Sequence, residues 1–423
     1  MKNPFISFVI PTRDRPDLIE YTLRSFSLQT SKDFEVILSD NFTSKPCKKV
    51  FDKYKSKNFR YLHPSKPLSM LDNWEFALQH CRGDYVSFLT DKYMVYSETV
   101  EKLINLCTEY NELPDIVSWL SDVTMPIRKN DFESVRFYKF LPTRETENFD
   151  PIEELKRKRK KIYADIDKNG YPGWYRGKIT SGMYSRKLIE KIINKHSKLF
   201  PPIFPDQSSL ALGLANAEIC IDYGKPLVQH LSIDGNGKTM RRTANGHMDY
   251  INENCSDLNI NDLPIPGLHT SITNIEVYDW YANERIKSKL NYSDVDFELL
   301  VKLSEEYHNE INWTDLSVKH DQVDLLKNFK RKNEIDNYKN TKSTNRNFQL
   351  FLIKVTKLIS RIDFLNLIRS IKDIFSSSTG GKRWSTFKIL DDFHIIKKNK
   401  NHSWKSFKLN WILKKTLGLN ILK

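Results

Sequence analysis

The chain lacks the cysteine spacing that disulfides or zinc would need. Its five cysteines, Cys47, Cys81, Cys107, Cys220 and Cys255, are scattered and never form a CxxC pair, which excludes a disulfide framework or a Cys-rich zinc site and fits a reducing compartment. A membrane span is also missing, because no segment reaches the ~18 consecutive apolar residues required. The first apolar run, Phe5 to Ile10, is too short for the core of a signal peptide, so the expected location is the cytoplasm. No glycine occurs from Pro11 to Pro16, so the turn after that run is not a Gly-rich phosphate loop. Finally, the body of the chain has no excess of one charge. Of the formal +14, residues 341–423 hold all, with 18 Lys and Arg against 4 Asp and Glu, leaving 49 of each sign in residues 1–340. A nucleic-acid enzyme is expected to line its cleft with positive charge; the neutral body argues against nucleic acid and moves the electrostatic question to anchoring.

What is present is a globular chain. Its 423 residues and 39% hydrophobic content suffice for two or three domains with a sizeable core. Aromatics make up 12%, with 8 Trp and 19 Tyr; they are core residues first, and also the faces on which pyranose rings stack.

Phe5 to Ile10 reads as a strand buried on both faces, ended by Pro11. Asp17 to Leu28 has the spacing of an amphipathic helix entered through Arg15-Pro16, and Phe34 to Leu38 reads as a second strand. Strand, helix and strand within about 40 residues predict a right-handed βαβ unit in a parallel sheet. The pattern recurs with a strand at Phe59 to Leu62, a helix at Ser69 to Gln79 and a strand at Tyr85 to Leu89. In open α/β sheets ligands sit beyond the carboxyl ends of the strands. There the sequence places Thr12, Arg13 and Asp14, then Asp40 and Asn41, then Asp91 and Lys92.

From 106 to 255 the pattern is less regular. It holds a strand at Asp115 to Leu120, six basic residues from Lys156 to Lys161, a loop containing Trp174 and Tyr175, and helices near Ser185 to Lys195 and Leu210 to Ala217. The basic run reads as a solvated helix face, with an anionic acceptor site as the alternative. Trp174 and Tyr175 suit either packing beneath a loop or stacking on a sugar. Residues 256–340 read as an α-helical extension.

Three stretches carry a resemblance. Phe8-Val9-Ile10-Pro11-Thr12-Arg13-Asp14-Arg15-Pro16, Leu23-Arg24-Ser25-Phe26-Ser27-Leu28-Gln29-Thr30 and Phe34-Glu35-Val36-Ile37-Leu38-Ser39-Asp40-Asn41 follow in order. Together they resemble the opening of family 2 glycosyltransferases. Asn73-Trp74-Glu75 with Ala77, and Gly83 through Asp91, resemble the family's next segment. The resemblance is close over 1–105, looser over 170–235 and absent beyond. It implies an α/β fold of the GT-A kind, a Rossmann-like mixed and mostly parallel sheet flanked by helices, here with an α-helical C-terminal extension. The implied division is a nucleotide-sugar-binding half at 1–105, an acceptor-binding half at 106–255, the extension at 256–340 and a basic tail at 341–423.

By matching positions, the resemblance implies that Pro11, Thr12 and Arg15 line the nucleotide, that Asp40 meets the base or ribose, and that Asn73, Asp91 and Lys92 complete the donor site. A carboxylate at Asp40 accepts from an imide N–H or from ribose hydroxyls; as a turn or cap it would have a structural role instead. Where the family shows two or three carboxylates, this chain reads Leu89-Thr90-Asp91-Lys92-Tyr93. Asp91 is then expected to hold a divalent cation, Mn or Mg, with help from elsewhere such as His230, or Lys92 offsets the phosphate charge directly. In the acceptor half, Asp206 of Phe204-Pro205-Asp206 resembles the family's general base, a plain helix N-cap being the alternative. Asp222 and Asp234 are the next candidates. Thr180 and Ser181 resemble the strand edge bordering the acceptor pocket, with Trp174 and Tyr175 beside it.

The implied activity is single-displacement, hexosyltransferase-like transfer, with inversion, from a nucleoside diphosphate sugar to a saccharide or lipid-linked acceptor, in capsule or lipopolysaccharide synthesis. The alternative is a non-catalytic carbohydrate-binding protein of the same fold. In the tail, Lys354, Lys357, Arg361, Arg369 and Lys372 share one helical face opposite Leu352, Val355, Ile359 and Ile362. A second helix is expected around Trp404, Phe407 and Trp411 with Lys405, Lys408, Lys414 and Lys415. Such basic amphipathic helices suit an anionic membrane surface, placing the protein peripherally on the inner face.

Overall fold

The computed structural model describes residues 3–335 except 111, 127–133, 139–143, 162–174, 232–243, 256–257, 286–289, 312 and 314, and also 407–408. For 124–126, 134–138, 161, 244–245, 310 and 407–408 only the backbone is described. Trp174, Asp234 and the proposed membrane face of the tail lie outside the described residues.

Strand β1 (Ile6–Thr12) is the axis of the first half. It pairs in parallel with β2 (Phe34–Asp40) on one side and with β4 (Tyr85–Phe88) on the other, and β2 pairs in parallel with β3 (Phe59–Leu62). The crossovers are helices α1 (Pro16–Ser27), α2 (Lys48–Tyr54) and α3 (Met70–Leu78). Pro16 opens α1, where a missing amide hydrogen costs nothing, and Ser69 caps α3 by accepting from the Asp72 amide. The expected βαβ repeat is therefore present. Two elements carry no strong local signal: α2, whose N-cap Cys47 makes no side-chain cap bond, and the three-residue β5 (Tyr93–Val95).

The sheet continues by antiparallel pairing. Beyond β4 lies β9 (Gly182–Ser185), then β6 (Ile116–Pro126) and β7 (Ser134–Tyr138). Helix α4 (Thr99–Thr108) leads into β6. Strand β10 (Cys220–Leu231) pairs in parallel with β6 and antiparallel with β5 and with β8 (Glu147–Asn148). The sheet is thus mixed and mostly parallel in its N-terminal half, as expected. Thr180 and Ser181 correct the reading of a strand edge: they occupy a 3₁₀ turn, Ile179–Ser181, and β9 after it is an inner strand. Phe407–Lys408 (β11) pair with β7 as a two-residue strand, where a helix was expected.

Both faces of the sheet are covered, which the near-continuous apolar runs require. Phe8, Ile10, Val36 and Leu38 pack on one side with Leu23 and Phe26 of α1. Val9, Ile37 and Phe88 face the other side, with Trp74, Leu210, Leu214, Trp280 and Leu300. Each such side chain contributes about 1.5–3 kcal/mol by leaving water. That second core joins α5 (Pro151–Lys161), α6 (Arg186–His196) and α7 (Pro205–Asn216) to the extension: α9 (Ile272–Trp280), α10 (Ala282–Arg285), α11 (Phe297–Glu310) and α12 (Leu316–Lys332), while α8 (Ala244–Asn254), which precedes the extension, packs through Tyr250 and Ile251 in a separate cluster. Because Trp280, Tyr281, Leu300 and Leu326 share one core with Phe88 and Leu210, the extension is packed onto the body that holds the sheet. No helix among the described residues is long and apolar enough to cross a membrane.

The basic run on α5 departs from a solvated face. Lys156 and Lys160 are exposed, but Lys158 and Arg159 are buried. Lys158 pairs with Glu154 at 3.0 Å, and burial pushes its ammonium down to about 8 against that pairing. Arg159 donates to the Trp280 carbonyl and to Glu284. A helix flanked on two sides by other helices has little face left for solvent.

At the amino ends of the strands, opposite the expected site, Glu35 is buried with its side chain 1% exposed. It accepts from the Ser7 hydroxyl at 2.7 Å, the Arg82 amide at 2.7 Å and the Arg82 guanidinium at 2.9 Å. The Gly83 amide donates in turn to Ser7. A Cβ on Gly83 would stand 2.5 Å from the Ser7 nitrogen, so only glycine allows this approach. Burial pushes the Glu35 carboxyl up, but the bonds from Ser7 and Arg82 outweigh it and hold it below the usual range. Its contribution to stability is therefore full above the ordinary glutamate range and fades as pH falls through the lowered value. Glu35→Ala should cost about 3 kcal/mol in urea denaturation, because a buried hydroxyl and amide lose their acceptor while Arg82 and Arg60, which also pairs with Glu35 at 3.4 Å, can turn to water. Glu35→Gln should weaken the acid dependence of stability, and an unchanged acid limb would contradict this assignment.

Candidate active site

The loops after β1, β2 and β4 meet at the carboxyl ends. The register sets Thr12 opposite Asp40, and the Asn41 amide donates to the Thr12 carbonyl at 2.9 Å. Asp91 follows β4; its Oδ2 accepts from the Thr12 hydroxyl at 2.9 Å, and its carbonyl accepts from Thr22 of α1 at 3.0 Å. Burial raises the Asp91 carboxyl, opposed by Arg15, the Thr12 hydrogen bond and Lys92. Three expected donor residues, Thr12, Arg15 and Lys92, thus act on Asp91, and Pro11 lies beside Thr12 within β1, opposite Ser39.

The rim is knitted by side chains. Asp14, at a positive φ of 56°, accepts from the amides of Thr43, Ser44 and Lys45 at 3.1, 2.8 and 2.7 Å. These bonds hold its carboxyl far below the usual range despite what burial it has, and they lock the loop after β1 to the loop after β2. Asn41 exchanges two hydrogen bonds with the Leu68 backbone, and Arg13 reaches both the Leu68 carbonyl and Glu253 of α8. Asp40 is fully buried. Its Oδ2 accepts from the Cys47 amide at 2.7 Å and the Tyr61 hydroxyl at 2.6 Å, while Oδ1 is enclosed and has no protein partner. One oxygen therefore braces the turn and the other is unused. Beside it Phe42 and His63 stack, with ring centres 4.2 Å apart. Asn73 faces the back of β2: buried, it accepts from the Ser39 hydroxyl at 2.8 Å. It supports the strand under Asp40.

The second half of the site begins with Tyr93 in β5. Its ring stacks on His230, its pairing partner in β10, at 4.8 Å between centres. Burial and the nearby charge of Asp206 push the Tyr93 hydroxyl up to about 12, against a hydrogen bond with Ser181. Tyr93, Ser181, His230 and Asp206 are therefore brought together beside Asp91. Asp206 is the second residue of α7. The N-cap is Phe204, with no side-chain cap bond, so Asp206 is not the cap. Its Oδ2 lies 3.3 Å from the ammonium of buried Lys178. Gly177, at φ +81° with Leu214 against its α-carbon, allows the turn that delivers Lys178 there. Thr180 is nearly buried in the turn between Lys178 and Ser181.

Two expectations are corrected. Tyr175 is 1% exposed and donates to Asp222, so its ring has no face for a sugar. Asp222 is fully buried, accepting from Tyr175, the Arg176 guanidinium at 2.8 Å and the Gly224 amide at 3.0 Å, so it has no oxygen left to act as a base. Conversely, Lys178 and Tyr93 have no motif of their own and were not expected at the site. The only signals available were the positions of Lys178 two residues before Thr180 and of Tyr93 two after Asp91.

The donor set can be tested against a divalent cation. Among the described residues no group of three or more His, Cys, Asp or Glu side chains could hold a metal. Asp91 offers one carboxylate, with one oxygen already bonded to Thr12, and His230 is paired with Tyr93, two residues after Asp91. This fits a Mg²⁺ or Mn²⁺ held by a single carboxylate, with the rest of its shell from substrate phosphates and water. It does not fit an all-protein cage.

No curated protein matches the chain. The crystal structure of S. aureus TarS 1–349 in complex with UDP-GlcNAc has 14% identity over 73% of this chain and 81% of that one, with a TM-score of 0.40. S. aureus TarS 1–349 alone has 16% identity over 79% and 92%, with a TM-score of 0.41. The family model described as glycosyl transferase family 2 matches residues 7–163, from the second residue of β1 to beyond α5. Residues 7–163, with Thr12, Asp40 and Asp91 gathered at the carboxyl ends of a parallel sheet, are a glycosyl transferase family 2 domain of the GT-A fold.

Proposed function

We propose that the protein transfers a hexosyl unit, with inversion, from a uridine diphosphate sugar to a hydroxyl of a saccharide or lipid-linked acceptor, as in surface-polysaccharide assembly. The observation that carries this reading is that the charge of Asp206 acts on Tyr93, which stands two residues after Asp91, the partner of Thr12. A carboxylate for the acceptor and a carboxylate for the diphosphate thus border one crevice. The uracil preference requires Asp40 Oδ1, enclosed in this structure, to be uncovered when the donor binds; once uncovered it accepts from the imide N–H of uracil or thymine and repels the ring nitrogen acceptor of cytosine.

In the reaction, Asp206 accepts the proton of the acceptor hydroxyl as that oxygen bonds to the anomeric carbon. The bond from that carbon to the diphosphate oxygen breaks on the opposite face, so one displacement inverts the centre. Lys178 keeps the Asp206 carboxylate turned toward the crevice by pairing with it. Thr12 and Thr22 fix Asp91, while Arg15 and Lys92 bring positive charge to the diphosphate side. A divalent cation bound at Asp91 would supply further charge to offset the leaving group. The single carboxylate also favours a second reading, a sugar-binding protein without turnover; it predicts saturable binding of UDP-sugars with no release of UDP.

Asp206→Asn should lower kcat by about 10²- to 10⁴-fold with UDP affinity nearly unchanged, since the base acts only on the acceptor proton. Unimpaired kcat would return the residue to a structural role. Asp91→Ala should abolish transfer and weaken UDP binding while circular dichroism stays native. Near wild-type turnover in that variant would show that the donor site is misassigned. Activity should fall in EDTA and return with Mn²⁺; full activity in EDTA would assign the phosphate charge to Lys92 and Arg15 alone.

A further inference from the structure

Asp206 stands at the start of α7, where the N-cap residue offers the helix no side-chain acceptor. Such a start leaves amide groups to be satisfied from elsewhere. The two amides that lead into the helix, those of Ile203 and Phe204, are held from the extension, outside the segment that matches the family. Asp279 of α9 is fully buried, and its Oδ1 and Oδ2 accept from the amides of Ile203 at 2.6 Å and Phe204 at 2.8 Å. Arg285 of α10 donates to the Pro202 carbonyl at 2.6 Å and stands 3.7 Å from Asp279. The Trp280 indole donates to the Gln207 side chain at 3.1 Å. Residues 202, 203, 204 and 207 are therefore each tied to residues 279–285, and Asp206, partly exposed and paired with Lys178, lies within this tied turn.

We propose that Asp279 is a positioning residue for Asp206, so that the helical extension completes the active site by fixing the turn that presents the base. The inference rests on the reading of Asp206 as the base. A carboxylate gripping two successive amides fixes both the rotation and the depth of the helix start, and a displacement of about 1 Å at a reacting group costs about 10²-fold in rate.

The test uses the full-length chain, with UDP binding by calorimetry and turnover followed as UDP released from the UDP-sugar that stabilises the protein most. Asp279→Asn keeps one acceptor and sets an NH₂ group against the second amide. It should lower kcat about 10- to 100-fold with UDP affinity unchanged. The decisive arm is the Asp206→Asn/Asp279→Asn pair, whose kcat should equal that of Asp206→Asn alone, because a misplaced base costs nothing once the base is gone. Losses that multiply, or full kcat in Asp279→Asn beside a crippled Asp206→Asn, would overturn the positioning role and leave the base assigned. Full kcat in Asp206→Asn would overturn both. If Asp279→Asn fails to fold, Arg285→Lys decides. It keeps the charge beside Asp279 but loses the forked donor to Pro202, and should give the same pattern at smaller size. Unchanged kcat there would likewise overturn the proposal.

Discussion

Strand β1 is hydrogen-bonded on both sides, in parallel, and in register from Ile6 to Thr12 with β2 and from Ile6 to Val9 with β4. This pairing satisfies its backbone where no water reaches, and it forces three chain reversals to leave the sheet at one level. Thr12 therefore stands opposite Asp40 and within hydrogen-bond distance of Asp91. The Asp14 carboxylate then joins two of those reversals through three amides, an arrangement that only a residue tolerant of positive φ permits. The grouping of Thr12, Asp40 and Asp91 is a consequence of strand order, with side chains added at the ends.

The other half of the crevice depends on antiparallel pairing. Strand β9 inserts between β4 and β6 and carries the preceding turn, with Lys178 and Ser181, to the edge of the donor site. Strand β10 returns beside β5 and stacks His230 on Tyr93. Helix α7 lies across this junction, and its start is held by a carboxylate from α9. Because α9 and α11 share a core with Phe88 and Leu210, the position of Asp206 is set by packing that spans the whole described chain.

Much of the first half was legible in the sequence. Runs such as Phe5 to Ile10 are apolar on both faces, Pro and Ser mark the helix starts, and polar residues fall where the strands end. These are local signals, and the structure follows them to within one or two residues. The rest depends on partners far away in the chain. Arg159 is buried because Trp280 and Glu284, more than 120 residues on, receive it. Tyr175 is enclosed because Asp222 needs its hydroxyl. Asp279 gave no motif, since its role exists only once Ile203 and Phe204 lie beside it. The run from Lys156 to Lys161 shows the same limit: its composition is that of a solvent face, and its surroundings bury Lys158 and Arg159.

The central claim is that Asp206 and the donor carboxylate act on opposite faces of one anomeric centre, in a single step. Proton NMR of the glycoside as it first forms reads this directly, because the coupling at the anomeric proton reports its configuration. The account predicts a product whose anomeric configuration is opposite to that of the UDP-sugar consumed. A product that retains the donor's configuration would contradict it.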